Sequence, residues 1–137
     1  MYHIFISHAW KYNEDYNKIV SWLDEAQKEG LLTWSNYSVP EHDPLINPDT
    51  TIGKNKLKEM LKNQIKPANI ILVISGMYAA YSDWIGYEID TSVDYNKYII
   101  GVKPWGQQQI PAKVTNNADE LVGWNKNSLI NAITSLR

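Results

Sequence analysis

Residues 69–90 read NIILVISGMYAAYSDWIGYEID, and the fold turns on how they are read. Ile70-Ile71-Leu72-Val73-Ile74 is an unbroken apolar run rich in β-branched residues, the pattern of a strand covered on both faces of a parallel sheet. Ser75 and Gly76 end it. Ser82 or Asp83 then predicts a helix start, because either side chain accepts a hydrogen bond from a free N–H of a first turn. On that helix Ile85, Ile89, Ser92, Val93 and Asn96 recur at helical spacing and predict one buried side, with Trp84 and Glu88 four apart along its edge. Glu88 leans toward the strand ends. Spacing alone leaves it two readings, a half-buried acid beside a ligand cleft or an ordinary solvated glutamate, which is the commoner fate.

Working outward, Ile4-Phe5-Ile6 within Tyr2 to Ser7 predicts another strand covered on both sides. Asn13 caps a helix with Glu14 and Asp15 at its positive dipole end and Tyr16, Ile19, Val20 and Leu23 inward, closed by Lys28 and Gly30. Leu31 to Asn36 is the next strand, so the chain opens on a βαβ unit with a right-handed crossover. The stretch 37–50, YSVPEHDPLINPDT, holds Pro40, Pro44 and Pro48 and reads as a long loop of the functional or disordered kind. A helix follows over Gly53 to Lys66, with Leu57, Met60, Leu61 and Ile65 inward and Pro67 beyond it. Tyr98 to Val102 is a strand, Glu120 to Gly123 a weakly signalled edge strand, and Lys126 to Leu136 a last helix burying Leu129, Ile130, Ile133 and Leu136.

This alternation predicts an α/β chain with a flavodoxin-like, doubly wound parallel sheet of five strands in the order 2-1-3-4-5, one domain over residues 1–137. In such sheets ligands bind outside the carboxyl ends of the strands, where the order reverses. Those ends carry Ser7-His8, Asn36-Tyr37-Ser38 and Ser75-Gly76.

Composition narrows the functions. A net charge of −2 and a pI near 5.9 offer no general attraction to nucleic acid or to an anionic membrane. Lys54, Lys58 and Lys62, spaced by four, read as the solvated face of a helix. The absence of cysteine removes disulfides, thiolate catalysis and Cys-based zinc sites. The opening MYHIFIS lacks a signal-peptide pattern and no apolar run reaches the length of a membrane span, so a cytoplasmic protein is expected. Six Trp and nine Tyr against one Phe favour aromatic residues with polar tips, which predicts that some line a polar cleft or an interface.

Several catalytic patterns are missing. There is no GxGxxG, and Gly53-Lys54 lacks the rest of a P-loop. His3, His8 and His42 have no partner at metal-ligand spacing, so no metal is expected. Ser7, His8 and Asp43 can be written as a triad, but an adjacent Ser and His rarely reach triad geometry and no nucleophile elbow is present. The strand ends offer Ser7, Asn36 and Ser75 where a receiver-type phosphoacceptor needs an Asp.

Three segments in order carry a family likeness. Tyr2-His3-Ile4-Phe5-Ile6-Ser7-His8 is an apolar strand ending in Ser. Asn36 to Leu45 stands where a BB loop is expected. Ser82-Asp83-Trp84-Ile85-Gly86-Tyr87-Glu88 matches the pattern Ser-x-Trp-x-x-x-Glu. On these the chain resembles the TIR domain family, and more narrowly the bacterial TIR-like proteins of Thoeris anti-phage defence. Gly76-Met77-Tyr78 and Val122-Gly123-Trp124-Asn125 are similar to that subfamily, while Ile85 replaces the usual Cys and no full receptor-type BB-loop motif is present.

The resemblance implies an NAD glycohydrolase or ADP-ribosyl cyclase, with NAD as substrate, no resident cofactor and Glu88 as the catalytic carboxylate. It implies substrate contacts from residues near the expected cleft: Ser7, His8, Trp10, Asn36, Tyr37, Ser38, Ser75, Tyr78, Ser82 and Trp84. It further implies self-association and a cyclic ADP-ribose-type signal that activates a separately encoded effector, since one such domain fills 137 residues and leaves no room for a fused one. The competing reading is a non-catalytic TIR-like module that assembles partners.

Overall fold

Every residue of the central strand β3 (Ile70–Ile74) is buried, and the sheet extends from it on both sides. A computed structural model describes residues 1–7, 14–38, 51–75, 78–103 and 110–135, excepting the side chains of 51–54 and 78–84. With β1 (Tyr2–Ser7), β2 (Trp34–Asn36), β4 (Tyr98–Val102) and β5 (Glu120–Val122), the strands stand in the order β2-β1-β3-β4-β5. All four pairings are parallel. Ile4 lies opposite both Asn36 and Ile70, and Ser7 opposite Val73. The order reverses between β1 and β3, as the alternation predicts.

The helices are α1 (Glu14–Lys28), α2 (Thr51–Ile65), α3 (Tyr78–Asp94), α4 (Ala112–Asn117) and α5 (Lys126–Thr134). α1 packs against α5, while α3 packs against α2 and α4, giving the sheet a helical layer on each face. Ile19, Leu23, Leu57, Leu61, Ile85, Ile89, Leu129 and Ile133 are the buried contacts of these helices with the sheet's Ile, Leu and Val residues. No helix among the described residues is long and apolar enough to cross a membrane.

Boundaries differ from the sequence reading for local reasons. α3 begins at Tyr78, before Ser82 and Asp83, because Tyr78-Ala79-Ala80-Tyr81 contains good helix formers and nothing that stops a helix. At its other end Asn96 takes φ 55, with Asn96 N–H bonded to Val93 O and Lys97 N–H to Ser92 O. That is a Schellman closure with Asn in the left-handed position. It leaves Val93 exposed, so the predicted buried side stops at Ser92.

α1 closes in the same way on Gly30, φ 77, with Gly30 N–H on Gln27 O and Leu31 N–H on Ala26 O. Leu31 therefore belongs to the cap and is exposed, and β2 starts only at Trp34, whose N–H is taken by Gln27 Oε1 at 2.9 Å. α4 was not predicted at all. It is six residues long with one buried apolar side chain, Val114, too little for a periodicity to show. Leu136, Asn13 and most of the proline-containing loop fall outside the described residues.

Gly101 in β4 permits a close approach: a Cβ there would stand 2.6 Å from Leu121 Cδ2 and 3.0 Å from Val114 Cγ1. Two residues just before strands clip the amino ends of the sheet. Asn69 Oδ1 accepts from His3 N–H at 2.7 Å while Asn69 N–H bonds His3 O. Asp119 does the same to Ile99, through Oδ2 at 2.8 Å and its own N–H.

Candidate active site

Four polar side chains at or against the carboxyl ends of β1, β2 and β3 are sealed from solvent: Ser7, Ser38 and Glu88 are 0 % exposed and Ser75 is 1 %. Glu88 sits on α3 between Ile85 and Ile89, both fully buried on the sheet. Its Oε1 accepts a hydrogen bond from Ser7 Oγ at 3.1 Å, so the last residue of β1 holds the carboxylate across the point where the strand order reverses. One turn further along α3, buried Ser92 donates to the backbone carbonyl of Glu88 at 2.7 Å. Neither a half-buried nor a solvated glutamate describes this residue, since it is buried completely.

The geometry limits what the hydroxyl can do. Ser7 has one proton and gives it to Glu88, so toward a ligand its oxygen can only accept. Ser75 likewise gives its proton to Val102 O at 3.2 Å, linking the end of β3 to β4.

Asn36, Tyr37 and Ser38 form a second cluster. Asn36 Oδ1 accepts from both the Ser38 N–H, at 2.9 Å, and the Ser38 hydroxyl. Asn36 Nδ2 donates to Tyr16 Oη at 3.0 Å, and Tyr16 Oη and Ser38 Oγ lie 3.3 Å apart. This network ties the chain after β2 to α1. Tyr37 stacks on His3, ring centroids 4.9 Å apart and planes 9° from parallel. On α3, the Tyr87 hydroxyl donates to Lys58 O at 3.0 Å and its ring faces the Lys58 ammonium at 5.6 Å, which fixes α3 against α2.

Of the residues expected around the cleft, Ser7 and Glu88 are in contact, Ser38 donates directly to Asn36 while both meet Tyr16, Tyr37 stacks on His3 and Ser75 is bonded to Val102 O. His8 and Trp10 lie outside the described residues, and Tyr78, Ser82 and Trp84 occupy the first turns of α3 with side chains that are not described. Sequence reasoning missed Tyr16 and Ser92 as polar members. Both fall on faces read as core, and the available signal was a polar tip on a buried face: Ser92 is four residues from Glu88, one turn along the same helix.

The tryptophans whose side chains are described, Trp22, Trp34 and Trp124, join elements to one another. Trp22 packs on Trp124 with centroids 4.9 Å apart, and buried Trp34 donates from Nε1 to Asp24 Oδ1 at 3.1 Å. These three serve the α1 side of the sheet. Among the described residues no three His, Cys, Asp or Glu side chains converge on a point that could hold a metal ion.

Comparison with known proteins places this geometry. No curated protein matches the chain by sequence. A solved structure of the Clostridium botulinum CMP N-glycosidase BcmB superposes with a TM-score of 0.56 at 12 % identity, covering 96 % of this chain and 97 % of that one, a likeness of fold. The profile of the family described as Thoeris protein ThsB, TIR-like domain, matches residues 5–109. That match takes in the end of β1, the cluster after β2 and the Glu88 helix, and the chain therefore belongs to the TIR-like domain family of the Thoeris protein ThsB.

Proposed function

We propose that this domain cleaves the N-glycosidic bond between nicotinamide and ribose in NAD, with Glu88 as the catalytic carboxylate. The observation that carries the reading is the buried pair of Ser7 and Glu88 at the switch point of the sheet. Burying a carboxylate costs several kcal/mol, on the order of a whole domain's margin when unpaired. The packing of α3 does not need it, because Ile85 and Ile89 already seat the helix. A CMP N-glycosidase of the same fold acts on the same class of bond, from a ribose to a heterocyclic nitrogen, which supports the reading.

The chemistry suits a lone carboxylate. As the bond breaks, its electron pair leaves with nicotinamide, whose ring nitrogen passes from cationic to neutral and needs no proton. Positive charge develops on the ribose, and a fixed carboxylate stabilises that charge and accepts hydrogen bonds from the ribose hydroxyls. Ser7 holds Oε1 in place, which fixes the direction in which the carboxylate faces the sugar. Attack by water then gives ADP-ribose, and attack by the adenine of the same molecule gives a cyclic product. Cyclisation requires a stacked base and exclusion of water, a role for Trp10, Tyr78 and Trp84 in this reading.

The product acts as a diffusible signal on a separately encoded effector, and the domain self-associates to work. The test is nicotinamide release from NAD by the parent chain and by Glu88→Gln, each with infected-cell lysate as trigger, with CMP as a second substrate. Release by the parent and none by the variant supports the proposal, and cytosine release from CMP alone moves the substrate to a pyrimidine nucleotide. Equal release by both removes Glu88 from the chemistry. A protein-free filtrate of the parent reaction stimulates the effector. An effector that answers only to the intact protein points instead to a contact module.

A further inference from the structure

A groove of about 590 Å³ runs between the end of β2 and α2, within the size range of small-molecule pockets. Asn36 and Tyr37 form one wall, and Lys56, Glu59, Met60 and Asn63 form the other. The α2 residues recur at spacings of three and four and share one face of the helix. That face is not the one turned to the sheet, where Leu57, Leu61 and Ile65 are buried, nor the one turned to α3, where Lys58 meets Tyr87. The groove is thus separated from Glu88 by the body of α2.

The walls specify a ligand. Tyr37 is held by its stack on His3, which covers one face of the ring, so the groove meets the opposite face or the edge of a fixed aromatic. Asn36 is equally fixed, by Tyr16 and Ser38. With the Met60 thioether these make a seat for a planar ring. Lys56 and Glu59, one turn apart, present a cation and a carboxylate side by side, which directs an anionic end to one and hydrogen-bond donors to the other. A molecule with a ring, hydroxyl or amino donors and a single anionic end satisfies all of them at once. The geometry points to a second nucleotide site, taking a nucleoside monophosphate with its base against Tyr37 and Met60, its phosphate on Lys56, and its sugar or base edge on Glu59 and Asn63.

Titration calorimetry with adenosine 5′-monophosphate tests this on the parent chain, Glu88→Gln, Lys56→Ala and Asn63→Ala. Lys56 and Asn63 are exposed, so their replacement leaves the fold intact, and circular dichroism checks it. One saturable site is expected, unchanged in Glu88→Gln and weakened in both α2 variants, by about tenfold for Lys56→Ala, the worth of a charge-assisted hydrogen bond. Adenosine binds more weakly than its monophosphate by a similar factor and is indifferent to Lys56→Ala. Absence of saturable binding at millimolar nucleotide overturns the inference. So does binding that vanishes in Glu88→Gln and ignores the α2 changes, which assigns the nucleotide to the Glu88 crevice. The readout is binding alone, so the result holds whether or not NAD is cleaved.

Discussion

At the amino ends of the strands, polar side chains are bonded to backbone: Asn69 to His3 N–H, Asp119 to Ile99 N–H. Each continues the ladder of its sheet and fixes which residue lies opposite which. At the carboxyl end of β1 the pairing is of another kind, because Ser7 and Glu88 bond side chain to side chain across elements and contribute nothing to strand register. One end uses polarity to hold strands, the other to hold a charge in place. Substitutions at the two ends should accordingly separate stability from turnover.

The largest separation is expected at Glu88. Glu88→Gln keeps the shape and can still accept from Ser7, so the melting temperature stays within a few degrees of the parent or rises. Nicotinamide release falls by roughly 10³-fold or more, the loss typical of removing a group aimed at transition-state charge. A variant that melts far lower, with turnover per folded molecule preserved, would make Glu88 a structural residue and erase the contrast between the two ends.

Asp119→Ala is the converse. It leaves the Ile99 N–H without its charged acceptor and is expected to cost about 1.5–3 kcal/mol of stability, measured by urea unfolding, with turnover per folded molecule unchanged. Gly101→Ala is a packing change nearer the carboxyl end of β4, where Gly101 lies opposite Val73 and so level with Ser7. The new methyl meets the Leu121 and Val114 side chains, and overpacking of this kind costs about 1–3 kcal/mol. A fall in turnover beyond the unfolded fraction in Asp119→Ala would show that the amino end of the sheet reaches the site, and in Gly101→Ala that repacking of β4 is felt at Ser7.

Ser7→Ala sharpens the comparison at smaller scale. The carboxylate remains but loses the donor that orients it, so kcat drops by about tenfold with KM little changed, and Ser7→Thr restores most of the loss. A positioning role predicts that rescue. A purely packing role predicts that the larger Thr is worse than Ala.

Much of this was legible in the residues. The runs Ile4 to Ile6 and Ile70 to Ile74 name their strands because burial on both faces removes polar alternation, and their order follows from short βα connections. Glu88 was legible as a position on an edge of α3. Its complete burial was not, because that depends on Ser7, eighty-one residues away, and pairs this distant leave no periodic trace. The short α4 and the late start of β2 were hidden for a different reason: hydrogen bonds of caps, at Pro111 and at Gly30 and Leu31, decided them rather than hydrophobic pattern.

The smallest effect concerns alkaline pH and lies away from the Glu88 site. Tyr98 opens β4, and its phenol is pushed above the ordinary tyrosine value by partial burial, by the charge of Glu120 and by donating a hydrogen bond to that carboxylate, with Asp119 adding to it. Lys126, in the first turn of α5, is also raised, chiefly by its hydrogen bond to Glu29 and also by Glu25 at 3.2 Å, against some desolvation. Both shifts have the same sign. A group whose pKa is higher in the folded than in the unfolded chain contributes its full stability below the unfolded value and loses it as pH rises through the folded one. The window therefore opens near the ordinary tyrosine value of 10.0 and extends upward, and stability at neutral pH is untouched by either titration. Tyr98→Phe and Lys126→Met should each flatten the decline in stability above pH 10, Tyr98→Phe the more, because the Lys126 pairs are exposed to solvent and screened by salt. The measurement is urea unfolding at closely spaced pH values from 8 to 11, at low and at high salt. A decline as steep in Tyr98→Phe as in the parent would assign the alkaline limb to other groups. A Lys126→Met effect that persists at high salt would show that the ion pairs between α5 and α1 escape screening, whereas no effect at either salt would leave the lysine stem, which Met largely keeps, as what holds the two helices.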